Sequence, residues 1–227
     1  MTTMKTGKSF IYLYPELDIL AFEISVNSYG FKISREKEFR KRFKTANDEQ
    51  KITIEAEYKA EAIKEFGEVY KRTLNLCIDQ RYRQKGFEIV YALLDGSPIS
   101  EVIVLQDNDR VINVGMDAKT HRTKVKGKYP YPDTDYILAQ LGKPRILRVG
   151  GFHMWDCVEK VAKRAYEKRI DVLVDEDLTE FFGFQIKRPK FKIDSYPNYD
   201  PKNLGGGNMF EEFIRARKGK PWLWQDY

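Results

Sequence analysis

Cysteine is scarce, with only Cys77 and Cys157 in 227 residues. Two cysteines make no disulfide framework, and both fall in helical patterns, which suits reduced thiols in a cytoplasmic protein. Histidine is as rare, at His121 and His153, and no Cys-x-x-Cys occurs. A zinc site is not expected on those grounds, nor any other metal or cofactor. No apolar run approaches the about 18 residues that a membrane span needs, and Met1 to Lys8 lacks the apolar core of a secretory signal. The sequence therefore implies no membrane association. Nor is there a phosphate loop: Leu204-Gly-Gly-Gly-Asn208 is not followed by Gly-Lys-Ser/Thr, and it suits a hinge better.

What is present is a folded globular composition, 42% hydrophobic and 33% charged. The net charge of +6 gathers in Arg35–Lys44, His121–Lys128, Lys187–Lys192 and Arg215–Lys220. Such runs are either solvated surface or places to meet phosphate. Tyr129, Tyr131 and Tyr136 interleave with Lys124, Lys126 and Lys128. That mixture can hold single-stranded nucleic acid, or it can be a loop folded over a sheet.

Apolar patterning predicts strands at Ser9–Tyr14 and Ile19–Val26, split by Pro15. A short charged helix follows near Arg35–Phe43, then a short strand at Lys51–Glu55. Glu57–Lys85 carries Ile63, Phe66, Tyr70, Leu74, Cys77 and Ile78 at helical spacing, with Gly86 as its stop. Phe87–Leu94 is an apolar strand. Glu101–Leu105 and Arg110–Val114 look like a hairpin. Asp133 or Thr134 caps a helix to Leu141, and a strand at Arg145–Val149, a helix over Val158–Tyr166 and a strand at Ile170–Val174 complete the pattern. Alternating helices and strands from 57 to 174 predict crossover units in a mostly parallel sheet, with an antiparallel appendage near 100–115. The pattern weakens after Gly183. The α/β domain is taken as 1–186, with an irregular, aromatic and basic tail at 187–227 that docks on the parent domain or on a neighbouring subunit. A homo-oligomer is expected from those aromatics.

The most informative stretch is Gly150-Gly-Phe-His-Met-Trp-Asp-Cys157-Val-Glu-Lys160. It places Cys157 at a strand-to-helix corner, where open α/β sheets bind ligands. A helix N-terminus there favours thiolate. Asp156 and Glu159 have capping-box spacing, while their charge opposes thiolate formation. His153 could share the corner and activate the thiol. A packed core cysteine is the alternative.

Gly151 with Cys157-Val158, the helix after them, Thr134, Leu138 and Leu141 upstream, and Glu176-Asp-Leu-Thr179 downstream resemble the isochorismatase-like cysteine hydrolases. The likeness spans roughly residues 124–182. It implies a three-layer α/β/α sandwich and a Cys–Lys–Asp triad. Cys157 would be the nucleophile and Lys128 the lysine, with Lys126 and Lys124 equally placed by spacing. His153 and Trp155 would meet the substrate. The family's Asp directly after the first strand has no counterpart in this sequence. The implied activity is hydrolysis of a small amide or ester-like molecule through a cysteine nucleophile. The alternative is a non-catalytic α/β protein whose basic loops engage nucleic acid or a protein partner.

Overall fold

The computed structural model describes residues 7–16, 19–21, 24, 32–189, 191–195 and 215–223. Five strands form one sheet: β1 (Lys8–Leu13), β2 (Glu88–Asp95), β3 (Arg110–Asp117), β4 (Ile146–Gly151) and β5 (Asp171–Thr179). All pairings are parallel, in the order β3-β2-β1-β4-β5. The helices are α1 (Glu36–Thr45), α2 (Asp48–Arg81), α3 (Ala118–Arg122), α4 (Thr134–Gln140), α5 (Glu159–Glu167) and α6 (Phe182–Gln185). The expected α/β class with a parallel sheet is what the chain adopts.

Strand residues alternate between two apolar clusters, as the period of two in a pleated strand requires. Ile11, Leu13, Val90, Ala92, Leu147 and Val149 pack with Ile137 and Leu138 of α4 and with Val161, Ala162 and Ala165 of α5. Phe10, Tyr12, Ile89 and Tyr91 pack with Leu74, Cys77 and Ile78 of α2. The central strands β1 and β2 are therefore covered on both faces, which is why they read as continuous apolar runs, whereas β3 at the edge alternates buried and exposed residues.

Several local expectations give way to stronger local chemistry. Lys51–Glu55 alternates like a strand, yet it lies inside α2. Asn47 Oδ1 accepts the Gln50 N–H while Gln50 Oε1 accepts the Asn47 N–H, and this capping box starts the helix there. Of Ile19–Val26, residues 19–21 and 24 are helical, not extended; the Leu20 N–H reaches Glu16 O, and Leu20, Ala21 and Ile24 are buried at helical spacing. The Glu101–Leu105 strand and its hairpin are absent. Asn75 of α2 donates to Val102 O and accepts from the Val104 N–H, which gives that backbone a partner outside any ladder. β3 instead pairs parallel to β2. Tyr29-Gly30, which marks a turn in the sequence, lies outside the described residues, as does the start of Phe210–Arg217, whose pattern suggests a short helix.

β5 continues past Val174 through three acidic residues. Asp175, Glu176 and Asp177 are 0%, 1% and 3% exposed. Such burial requires partners. Arg81, at the end of α2, donates to Asp175 at 2.8 and 3.0 Å and to Asp177 at 2.9 Å. Its remaining N–H groups meet the Ile193 and Lys192 carbonyls. The Tyr82 hydroxyl donates to Asp175, and Arg217 holds Glu176 through two hydrogen bonds. Trp222 O accepts the Val174 N–H, and Leu223 enters the core. The described parts of the 187–227 segment thus dock on their own domain.

Candidate active site

In the strand order, β1 connects to β2 on one side while β4 lies on the other, so the direction of winding switches between β1 and β4. Ligand sites in open α/β sheets form outside the carboxyl ends of strands at such a switch. Tyr14 directly follows β1, and Cys157 follows β4 after a short connection. His121 follows β3 on α3. These three side chains meet.

Paired glycines bring the corner close to β1. A Cβ on Gly150 would lie 2.9 Å from Leu178 O, and one on Gly151, whose φ is +101°, 2.2 Å from Leu13 O. The chain then makes a π-helical turn, Met154–Val158, before α5. Cys157 therefore sits within this turn rather than in the first turn of a regular helix. The Asp156–Glu159 capping box does not form: neither helical segment has a side-chain cap. Asp156 instead accepts from the Tyr131 hydroxyl at 2.7 Å and from Lys160. Glu180, on the loop after β5, accepts the Met154 N–H and anchors the start of the turn. Burial pushes the Glu180 carboxyl up to about 7, against the pull of that hydrogen bond.

Cys157 is 5% exposed. Its Sγ lies 3.8 Å from His121 Nε2, and the Tyr14 hydroxyl is close enough to favour the charged form of the sulfur. His121 Nδ1 lies 2.9 Å from Pro130 O. A carbonyl only accepts, so in the neutral ring Nδ1 carries the proton and Nε2 offers a lone pair to the thiol. The Tyr14 and Tyr131 rings flank His121 at 5.6 and 5.8 Å between centroids. The result is a directed arrangement: the thiol faces one imidazole nitrogen, and the opposite imidazole N–H donates to a carbonyl.

Burial pushes the Cys157 thiol up to about 11, with Tyr14 and Lys160 pulling down and Asp156 pushing up. Desolvation thus outweighs the pull of Tyr14 and Lys160, so the resting group at neutral pH is the thiol rather than a thiolate. Tyr14 is held far above the ordinary phenol range, by burial first and then by the sulfur beside it, and stays a donor. Cys77, in the core under α2, is pushed up to about 12 by burial.

Of the residues expected at the site, only Cys157 stands in this cluster. His153 is exposed on the connection, and Trp155 is 38% exposed with the Lys220 ammonium 5.7 Å from its ring. Lys128 is exposed at the end of a tight turn closed by reciprocal backbone bonds with Val125. No hydrogen bond or ion pair joins it to Cys157 among the described residues, and the cation that lowers the thiol pKa is Lys160. Sequence reasoning missed Tyr14 and His121. Tyr14 occupies the place directly after the first strand where the resemblance puts an Asp, and His121 is one of only two histidines. A scan against family models and a search of curated proteins returned no match for this chain.

Proposed function

We propose that the protein is a cysteine-dependent hydrolase of a small amide or ester-like substrate, with Cys157 as nucleophile and His121 as general base. The observation that carries this reading is the 3.8 Å approach of the Cys157 sulfur to Nε2 of His121. Because the thiol rests protonated, it needs a base at the moment of attack. His121 Nε2 takes the proton as sulfur adds to the acyl carbon, and returns it to the leaving amine or alkoxide. Water then attacks the thioester, with the same nitrogen as base. The Tyr14 hydroxyl stabilises charge that develops on sulfur.

This reading keeps the nucleophile that the isochorismatase-like resemblance implies and changes its partners: His121 takes the thiol proton, the work of the implied aspartate, and Tyr14, directly after the first strand, steadies the developing charge, the work assigned to Lys128. His153 and Trp155, both exposed on the connection that delivers Cys157, keep the substrate contacts expected of them in this reading.

A panel of small p-nitrophenyl esters and amides tests the reading. Cys157→Ser abolishes turnover without lowering the melting temperature, His121→Ala lowers kcat by about 10²–10⁴-fold, and Lys128→Ala leaves it unchanged. Turnover that survives Cys157→Ser, or is abolished by Lys128→Ala, contradicts the assignment.

A further inference from the structure

Residues 118–132 contain no acidic side chain, yet they hold Lys119, Arg122, Lys124, Lys126 and Lys128. All five are exposed, and none makes an ion pair among the described residues. Several surface cations elsewhere are matched. Arg35, Arg40 and Arg42 pair with Glu38, Glu36 and Glu57, and Arg164 and Lys168 pair with Asp135. A run of like charges without counter-charges is repulsive unless something outside the chain neutralises it.

The backbone displays these charges outward. α3 carries Lys119 and Arg122, and the chain then folds into a tight turn in which Val125 N–H bonds Lys128 O and Lys128 N–H bonds Val125 O. Lys126 and Gly127 at its tip have φ of 51° and 79°. Consecutive positive φ values of this kind make a narrow, projecting hairpin. Val125 is 60% exposed and Tyr129 47%, and the Lys124 ammonium lies 5.2 Å from the Tyr129 ring centroid. His121 and Tyr131 at the base of the segment pack at the strand ends, while the tip at 124–129 stays exposed.

We propose that the 119–129 segment is a docking surface for single-stranded nucleic acid. Small-molecule sites are concave, whereas this surface projects, which suits an extended polyanion whose phosphates run along a row of cations. The exposed face of Tyr129 beside lysines selects a strand with unpaired bases, because a base can stack there while the phosphate meets an ammonium. The segment includes His121 of the hydrolase reading, but no hydrogen bond or ion pair joins the cations themselves to Cys157 among the described residues.

Fluorescence anisotropy with a fluorescein-labelled oligothymidylate tests it, on the full chain across a salt series. The wild type binds, and its affinity falls steeply as salt rises. The triple variant Lys124→Gln, Lys126→Gln, Lys128→Gln keeps the wild-type melting temperature. Its slope of log K against log salt is shallower by about 2, at about 0.7 for each phosphate that no longer meets a cation. Tyr129→Ala weakens binding about tenfold or more at fixed salt. Cys157→Ser binds as the wild type does, so failure of the hydrolase reading leaves this result untouched. Absence of salt-dependent binding, equal binding by the triple variant, or tighter binding to duplex DNA, heparin or phosphatidylserine vesicles than to the single strand would overturn the proposal.

Discussion

Arg81→Met lowers the stability of the fold by about 3–5 kcal/mol, the cost of stranding buried charge. The guanidinium is 2% exposed and faces two carboxylates that are themselves sequestered on β5. It also satisfies two backbone carbonyls at 192 and 193. Methionine fills much of the volume and satisfies none of these acceptors. In a chain of this size the loss is a fall in melting temperature on the order of 10 °C. Urea unfolding measures it directly. Adding Asp175→Asn and Asp177→Asn to Arg81→Met recovers part of the loss, because the neutral amides remove the stranded charge, and the substitutions are non-additive as members of one network. A loss under about 1 kcal/mol, the range of a surface ion pair, would place the network in water and contradict its burial.

Gly151→Ala is expected to cost about 3–5 kcal/mol, from steric overpacking and positive-φ strain together. The added Cβ would stand 2.2 Å from Leu13 O and 2.4 Å from Leu13 N. Leu13 is the residue that Gly151 faces across the β1–β4 ladder, so relief requires the two strands to part. The same movement displaces Tyr14 from Cys157, and any activity falls with stability. Gly86→Ala is the control: its φ is +76° with nothing within 4 Å of the added carbon, so it carries the conformational cost alone, about 1–2 kcal/mol. Equal costs at the two sites, by thermal and urea unfolding, would show that the close approach at Gly151 relaxes freely.

Much of the fold was legible because its signals are local. The apolar runs at Phe10–Leu13 and Ile89–Leu94 and the helical spacing of Tyr70, Leu74 and Cys77 each declare their element within a few residues. What was illegible depends on partners distant in the chain. Asp175-Glu-Asp177 looks like the end of a strand until Arg81 and Arg217, far away on either side, take up its charge. Val102 to Val104 look like a strand until Asn75 supplies the Val102 carbonyl and the Val104 N–H with other partners. The candidate site divides in the same way. Cys157 is announced by the glycines before it and the amphipathic helix after it. Its neighbours Tyr14 and His121 come from other strand ends, and only the strand order brings them together. His153 lies closer in sequence, and the backbone of the connection leaves it exposed instead.

The most direct test of the central claim is the rate at which iodoacetamide labels Cys157 across the neutral and alkaline range, read by peptide mass spectrometry beside Cys77, in the wild type and in His121→Ala. A thiol whose pKa is pushed up to about 11 and which has no base would gain about tenfold in rate for each pH unit throughout this range. The account predicts that Cys157 instead reacts faster near neutrality than its thiolate fraction allows, that His121→Ala removes this excess by about 10²-fold or more, and that Cys77 stays unlabelled until the protein unfolds. Equal protection of both cysteines in the folded protein, or a Cys157 rate unchanged by His121→Ala, would make Cys157 a core residue and contradict the account.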